Sequence, residues 1–302
     1  MENNSLSVVV PCYNSKKRIV ASIDAIKLSL DNLDPKFKFE IIVINDGSTD
    51  STEKHIKKMD RVKVITHSKN KGLSSARNSG IMASSSDFIA FVDSDIEVEK
   101  KWFQKMLSLL VNNTSIAGAT GHLKPPFSNK SRSLLEKYLF SNYRGSKNID
   151  NKTPLLYKWF VFSNTIIRRS ILEKTGLFDE KLISYGGEDT ELAIRINRVF
   201  PKNLRKCMDA VSIHYSDKTL NQYRKNMFEY GLNNFNHIIE KHPDYKKKLG
   251  ANLIYSFKGY LIFNSISRNL CLFLLNLIRH PLLVKFLVVS SFVQGVRNSK
   301  NS

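Results

Sequence analysis

An α/β fold is what this 302-residue sequence predicts: a mostly parallel sheet with helices on both faces, followed by a helical C-terminal region. Three observations carry that expectation. Over the first hundred or so residues, short β-branched or aromatic runs alternate with longer amphipathic stretches, as in strand–helix–strand units. Polar and acidic residues gather where those runs end, and in parallel sheets ligands bind at the carboxyl ends of the strands. After about Ser216 the pattern becomes basic and helical.

Taken in order, Leu6–Val10, Glu40–Ile44, Val62–Thr66 and Phe88–Val92 read as strands. Lys16–Leu30, Ser51–Lys58 and Leu73–Ser84 have the length and spacing of helices. Asp50 or Ser51 suits an N-cap, and Glu53 with Lys57 forms a favourable pair one turn apart. A further helix is expected around Glu97–Leu110, and another over Tyr223–His237 before a turn at His242-Pro243-Asp244. Beyond it Ile254, Phe257, Leu261, Ile266, Leu270, Leu274 and Leu277 recur at helical spacing, with Lys258 and Arg268 between them. Leu282–Val293 is apolar again, but Arg279-His280-Pro281 splits the region. No uninterrupted apolar run reaches the ~20 residues of a membrane-spanning helix. Two domains are expected, 1–215 and 216–302. The second reads either as a small helical subdomain or, preferred here, as an interfacial anchor whose Lys and Arg meet an anionic membrane surface.

Hydrophobic residues make up 42% of the chain, enough for a large core. Cys12, Cys207 and Cys271 are few, far apart and odd in number, which gives neither a disulfide framework nor a CxxC metal site. A reducing cytoplasm is expected, with the chain peripheral on the inner face of the cell membrane. No basic segment, long apolar segment and cleavage site precede Leu6, so no secretory signal is expected. The net charge of +20 implies anionic partners. Nucleic acid is not among those expected, because no recognised module or basic–aromatic interleaving is evident. The missing G-x-G-x-x-G and G-x-x-x-x-G-K-[ST] disfavour a dinucleotide-binding Rossmann domain and a P-loop.

The strand ends carry the chemistry. Strand one runs into Pro11-Cys12-Tyr13-Asn14, strand two into Asn45-Asp46-Gly47-Ser48, and strand three to His67 and Asn70-Lys71-Gly72. Strand four ends at Asp93-Ser94-Asp95, where the two carboxylates of an extended segment point the same way. Their hard oxygens suit Mn²⁺ or Mg²⁺, which in turn bridges diphosphate oxygens. The plainer reading is a solvated turn before the next helix.

Together Val8–Asn14, Val43–Asp50, Asn70–Gly72 and Ala76–Asn78 resemble the family 2 glycosyltransferases with the GT-A fold. Gly176–Glu180 and Gly186–Leu192 match that family's acceptor-side segment, so the resemblance covers roughly residues 5 to 215. It implies an inverting enzyme that moves a sugar from a nucleotide-sugar donor, UDP-linked by expectation, to a glycan or lipid-linked acceptor. Asp46 would bond the base through its N3–H, with Pro11, Tyr13 and Asn14 shaping the nucleoside pocket. Arg77 would lie near base or phosphate, and Lys71 and Ser94 complete the nucleotide-binding set. Asp93 would reach ribose or metal, while Asp95 and His214 would be metal ligands. Asp189 would be the general base, with Glu188 its neighbour shaping the site.

Each assignment has a plainer counterpart. Glu188-Asp189 could be an acidic pair at a helix N-terminus, stabilised by the macrodipole. The aromatics of Trp159–Phe162 could stack on a sugar or fill the core; Phe160 and Phe162 are expected in the core, and Trp159 and Asn164 at the acceptor. The competing function is a non-catalytic nucleotide-sugar-binding or membrane-scaffolding protein. Asp46, Asp93, Asp95 and Asp189 weigh against it.

Overall fold

The computed structural model describes residues 4–127, 131–144 and 149–299. The chain begins β1 (Ser5–Cys12), α1 (Ile19–Leu30), β2 (Lys38–Asn45), α2 (Thr52–Ile56), β3 (Lys63–Thr66) and α3 (Leu73–Met82). It continues with β4 (Phe88–Val92), β5 (Ile96–Val98), α4 (Trp102–Val111), β6 (Gly118–Lys124), α5 (Leu134–Leu139) and β7 (Asn164–Arg168). Then come α6 (Arg169–Thr175), α7 (Glu188–Val199), β8 (Leu204–His214), α8 (Leu220–Glu229) and α9 (Phe235–Lys241). Four helices close it: α10 (Ala251–Ile254), α11 (Phe257–Ile262), α12 (Ser265–Leu277) and α13 (Pro281–Asn298).

Two compact units emerge. The first comprises residues 1–126, 148–181 and 188–215. Its sheet runs β3-β2-β1-β4-β7-β6-β8-β5. The β3–β2–β1–β4 half is parallel, as the alternating pattern predicts. The other half is mixed: β7 is antiparallel to both β4 and β6, β8 is parallel to β6, and β5 is antiparallel to β8. β4 is buried along its whole length, which is why it reads as an unbroken apolar run. Alternate residues of β1 (Leu6, Val8, Val10) join α1 and α4 residues such as Ile23, Ile26, Trp102 and Phe103 in one core. Phe91 packs edge-on against Phe162 and Phe178, with ring centroids 5.7 and 5.5 Å apart.

The helix expected over Glu97–Leu110 begins only at Trp102. Ile96-Glu97-Val98 instead forms β5, because Ile96 and Val98 are buried and the segment pairs with Ser212–His214.

The second unit comprises residues 127–147, 182–187 and 216–302. A single cut at residue 215 therefore misassigns two earlier segments. α5 opens with a capping box in which the Ser133 hydroxyl accepts from the Glu136 amide and the Glu136 carboxylate from the Ser133 amide. α13 forms the core of the unit. Its Val284, Leu287 and Val288 pack with Leu135, Tyr138, Tyr223, Cys271 and Leu275, while Val293 and Val296 pack with Phe235, Ala251 and Ile254. The helix expected over Tyr223–His237 is interrupted by a π-turn at Tyr230–Asn234. There the Asn234 amide donates to the Ser184 and Gly186 carbonyls at 2.8 and 2.7 Å, holding the 182–187 segment. The helical spacing over 254–277 is realised as separate helices, because Ser256 and Asn264 each cap a new N-terminus. Among the described residues, no helix is long and apolar enough to cross a membrane.

Candidate active site

Asp46 leaves the carboxyl end of β2 and is 4% exposed. Its Oδ1 accepts the Lys71 amide at 2.9 Å and meets His67 Nδ1 at 2.7 Å, while Oδ2 accepts the Gly72 amide at 2.9 Å. An ionised carboxylate only accepts, so Nδ1 carries the imidazole proton facing it. His67 Nε2 lies 2.9 Å from the Ser79 hydroxyl on α3, which fixes the other edge of the ring. Gly47 has φ +68°, and a Cβ there would overlap the backbone of Lys69, so this turn requires glycine.

The loop after β1 is stapled to its neighbours. Asn14 Oδ1 accepts the Thr49 amide at 2.8 Å, and the Asn14 amide donates to Ser48 Oγ at 3.0 Å. Ser15 Oγ lies 2.8 Å from Ser94 Oγ, joining this loop to the one after β4. Tyr13, in the loop after β1, is exposed. Pro11 is buried within β1, opposite Ile44, so it acts as part of the strand. Cys12 is also buried, and burial followed by Asp46 and Asp50 pushes its thiol up to about 12. It is therefore a neutral thiol at physiological pH.

Arg77 is the centre of the acidic cluster. It is 1% exposed on α3. Its Nη1 donates to Asp189 Oδ1 at 2.7 Å and its Nη2 to Asp93 Oδ1 at 3.2 Å, with Glu188 Oε1 3.8 Å away. The guanidinium lies 5.2 Å above the Phe178 ring. Burial works against its charge, but Asp189, Asp93 and Glu188 outweigh that and raise its pKa. Burial followed by the Asp189 charge pushes Glu188 up to about 7, against the pull of Arg77. Burial pushes Asp93 up as well, again opposed by Arg77. Arg77, expected near base or phosphate, joins the acidic end of β4 to the acidic start of α7 through its two Nη groups.

Asp95 follows one residue after Ser94. Its backbone carbonyl accepts the Tyr215 amide at 3.0 Å, and the β5–β8 pairing sets His214 opposite Ile96. His214 Nε2 consequently lies 3.4 Å from Asp95 Oδ2. A carboxylate and an imidazole on partly exposed side chains fit a divalent ion that takes its other ligands from phosphate oxygens and water. Among the described residues, no three His, Cys, Asp or Glu side chains gather to hold an ion by themselves.

α3 also fixes the segment after α6. Asn78 exchanges hydrogen bonds with the Phe178 backbone at 3.0 Å in both directions and donates to Glu180 Oε1 at 2.8 Å. Ser75 Oγ adds a bond to Glu180 Oε2 at 3.0 Å. His67 and Asn78 stand in or beside the strand-end motifs, but no local pattern in the sequence assigns either of them a partner. Trp159 is half-buried, with Lys158 Nζ 5.4 Å from its ring centroid. The expectation for Asn164 needs correction: it is 0% exposed, and its side-chain oxygen accepts from Ser212 Oγ at 2.9 Å within the core.

A single helix thus gathers the acidic motifs. Asp46 binds the Gly72 amide at the N-cap of α3, and Arg77, about 7.5 Å further along the axis, binds Asp93 and Asp189.

The family model described as glycosyl transferase family 2 matches residues 7–176. Probable glycosyltransferase YdaM of Bacillus subtilis (strain 168) is 32% identical over 209 residues, covering 63% of this chain and 46% of that protein. Against four such curated relatives the chain spans between 33% and 61% of their length. Among solved structures, a mannosyltransferase of Pyrobaculum calidifontis in complex with GDP-Man and Mn²⁺ has a TM-score of 0.63 at 16% identity, covering 98% of this chain and 86% of that one. S. aureus TarS 1-349 in complex with UDP-GlcNAc has a TM-score of 0.55 at 15% identity, covering 98% and 92%. Both likenesses extend over the GT-A-type fold.

Proposed function

The chain belongs to glycosyl transferase family 2, and we propose that it transfers a sugar from a nucleoside-diphosphate sugar to an acceptor hydroxyl, inverting the anomeric carbon. The observation that carries this reading is the Arg77 bridge, which brings the carboxylates of Asp93 and Asp189 together from positions far apart in the chain.

Asp189 is the general base. Arg77 holds its Oδ1, and Oδ2 has no protein partner among the described residues. As the acceptor oxygen bonds to the anomeric carbon, Asp189 takes the hydroxyl proton and the diphosphate leaves with the electron pair of the broken C–O bond. Such a base contributes ~10²–10⁴-fold. One base opposite one leaving group gives a single displacement, hence inversion. Burial and the neighbouring Asp189 charge favour the protonated form of Glu188, which limits the negative charge beside the base.

The residues proposed to hold the ion are Asp95 and His214, with Asp93 beside them, and Mn²⁺ or Mg²⁺ bound there would neutralise charge developing on the diphosphate. Asp46 accepts the base N3–H, which selects uracil and makes UDP the proposed nucleotide. Tyr13 stacks on the nucleoside, Asn14 and Ser94 hold the loops around it, and Lys71 provides positive charge near the phosphates. A hexosyl or N-acetylhexosaminyl group is the proposed cargo. The acceptor is a glycan or lipid-linked glycan of the cell surface, reached from an anionic membrane on its cytoplasmic side. The donors bound in the two neighbouring structures, UDP-GlcNAc and GDP-Man, support the nucleoside-diphosphate class and leave the base to Asp46.

The test is a screen of nucleotide sugars for Mn²⁺-dependent donor hydrolysis and for transfer to glycan acceptors. One donor is expected to be consumed, with Asp189→Asn lowering the transfer rate by about 10²-fold or more while still binding nucleotide. Equal rates for Asp189→Asn and the unaltered chain would refute the assignment of the base.

A further inference from the structure

We propose that the outer face of α11 and α12 is an insertion surface that lies flat in an anionic lipid bilayer. The inference rests on the membrane location proposed above and assigns it to particular side chains. Ile266, Leu270, Phe273 and Leu277 follow one another at spacings of four, three and four residues, which sets them in one stripe along α12. They are 79%, 56%, 60% and 66% exposed, and Phe257 on the neighbouring α11 is 77% exposed. α12 meanwhile buries Cys271 and Leu275 on its other side, against α13 and α8. A helix apolar on both sides belongs in an apolar environment on both sides. Only one of them is supplied within this unit.

Charge selects the occupant. No Asp or Glu occurs from Tyr245 to Ser302. Lys246, Lys247, Lys248, Lys258, Arg279 and Lys285 are all exposed in the same stretch. A protein partner docking through apolar contacts alone gives no reason for a 58-residue segment (residues 245–302) without one carboxylate. An anionic lipid surface does, since each carboxylate would be repelled by it and each Lys or Arg attracted. At 13 residues, α12 is about 20 Å long, well short of the ~30 Å hydrocarbon core. It therefore lies in the interface and does not span it. The apolar stripe enters the acyl boundary while the lysines remain at the headgroups.

Flotation of the whole chain with vesicles of phosphatidylcholine, alone or mixed with phosphatidylglycerol, tests the proposal. Retention on the mixed vesicles is expected to be at least about tenfold stronger than on the neutral ones and to weaken in high salt. The double substitution Ile266→Asp and Phe273→Asp is expected to lower it by at least about tenfold, with melting temperature and nucleotide binding unchanged because both side chains point outward. Asp189→Asn is expected to float as the unaltered chain does, so lost transfer with intact flotation counts against the catalytic reading alone. Transfer activity without flotation, or flotation indifferent to the double substitution, overturns the insertion surface. So does a dimer in solution that the double substitution dissolves, because the stripe would then face a second copy of the chain.

Discussion

At the scale of single residues, the site is organised by where carboxylates find partners. Asp46 takes three hydrogen bonds, two on Oδ1 from Lys71 and His67 and one on Oδ2 from Gly72, so it is held in place before any ligand arrives and keeps one acceptor position on Oδ2. Glu188 is held differently, being buried beside a like charge. Its carboxyl binds a proton more tightly in the folded chain, at about 7, than at the unperturbed 4.5. Between those values the folded state carries more protons than the unfolded one, so stability falls as pH rises from 4.5 to about 7 and levels off above. Asp93 is shifted in the same direction and adds to the fall. Glu188→Gln is expected to flatten the decline, as read from urea unfolding midpoints across that range. An unchanged slope would show that Glu188 ionises freely. The identities of these residues were legible as motif letters, but their partners were not. That His67 completes Asp46, or that Arg77 serves carboxylates, depends on contacts spanning 21 and 112 positions.

Among elements, α3 does the most. Its N-cap amide receives Asp46, Arg77 joins β4 to α7, and Ser75 and Asn78 hold the Phe178–Glu180 segment. Removing the bridge should therefore damage more than one contact. Arg77→Met leaves three carboxylates without their counter-charge, and a loss of about 3–5 kcal/mol in unfolding free energy is expected. Arg77→Lys should recover only part of it, because an ammonium cannot reach Asp189 and Asp93 with separate arms of one planar fork. A loss below 1 kcal/mol or so for Arg77→Met would mean that the bridge is incidental. The parallel strands and the helices between them could be read from the sequence because their burial patterns are local and periodic. Two elements could not. β5 exists through pairing with β8, more than a hundred residues away, and no local pattern announces it. The helices after residue 250 share one continuous apolar spacing, while the breaks between them depend on side-chain caps at Ser256 and Asn264.

For the whole molecule, the sequence pattern changes near residue 216 from alternating strands and helices to a basic helical stretch, and residues 216–302 fall in the second compact unit. It did not reveal that residues 127–147 and 182–187 belong to the second unit, since membership there comes from packing on α13 and bonds to Asn234 and not from composition. Acidic groups from strand ends and from α7 are proposed to serve one donor. A crystal structure of the chain with UDP and Mn²⁺ tests that proposal most directly. The uracil N3–H is expected on Asp46, and the ion on Asp95 and His214 with the diphosphate as its other ligand. Asp189 is expected on the side of the β-phosphate where the anomeric carbon would stand. UDP bound elsewhere on the chain, or an ion held away from both Asp95 and His214, would contradict the proposal.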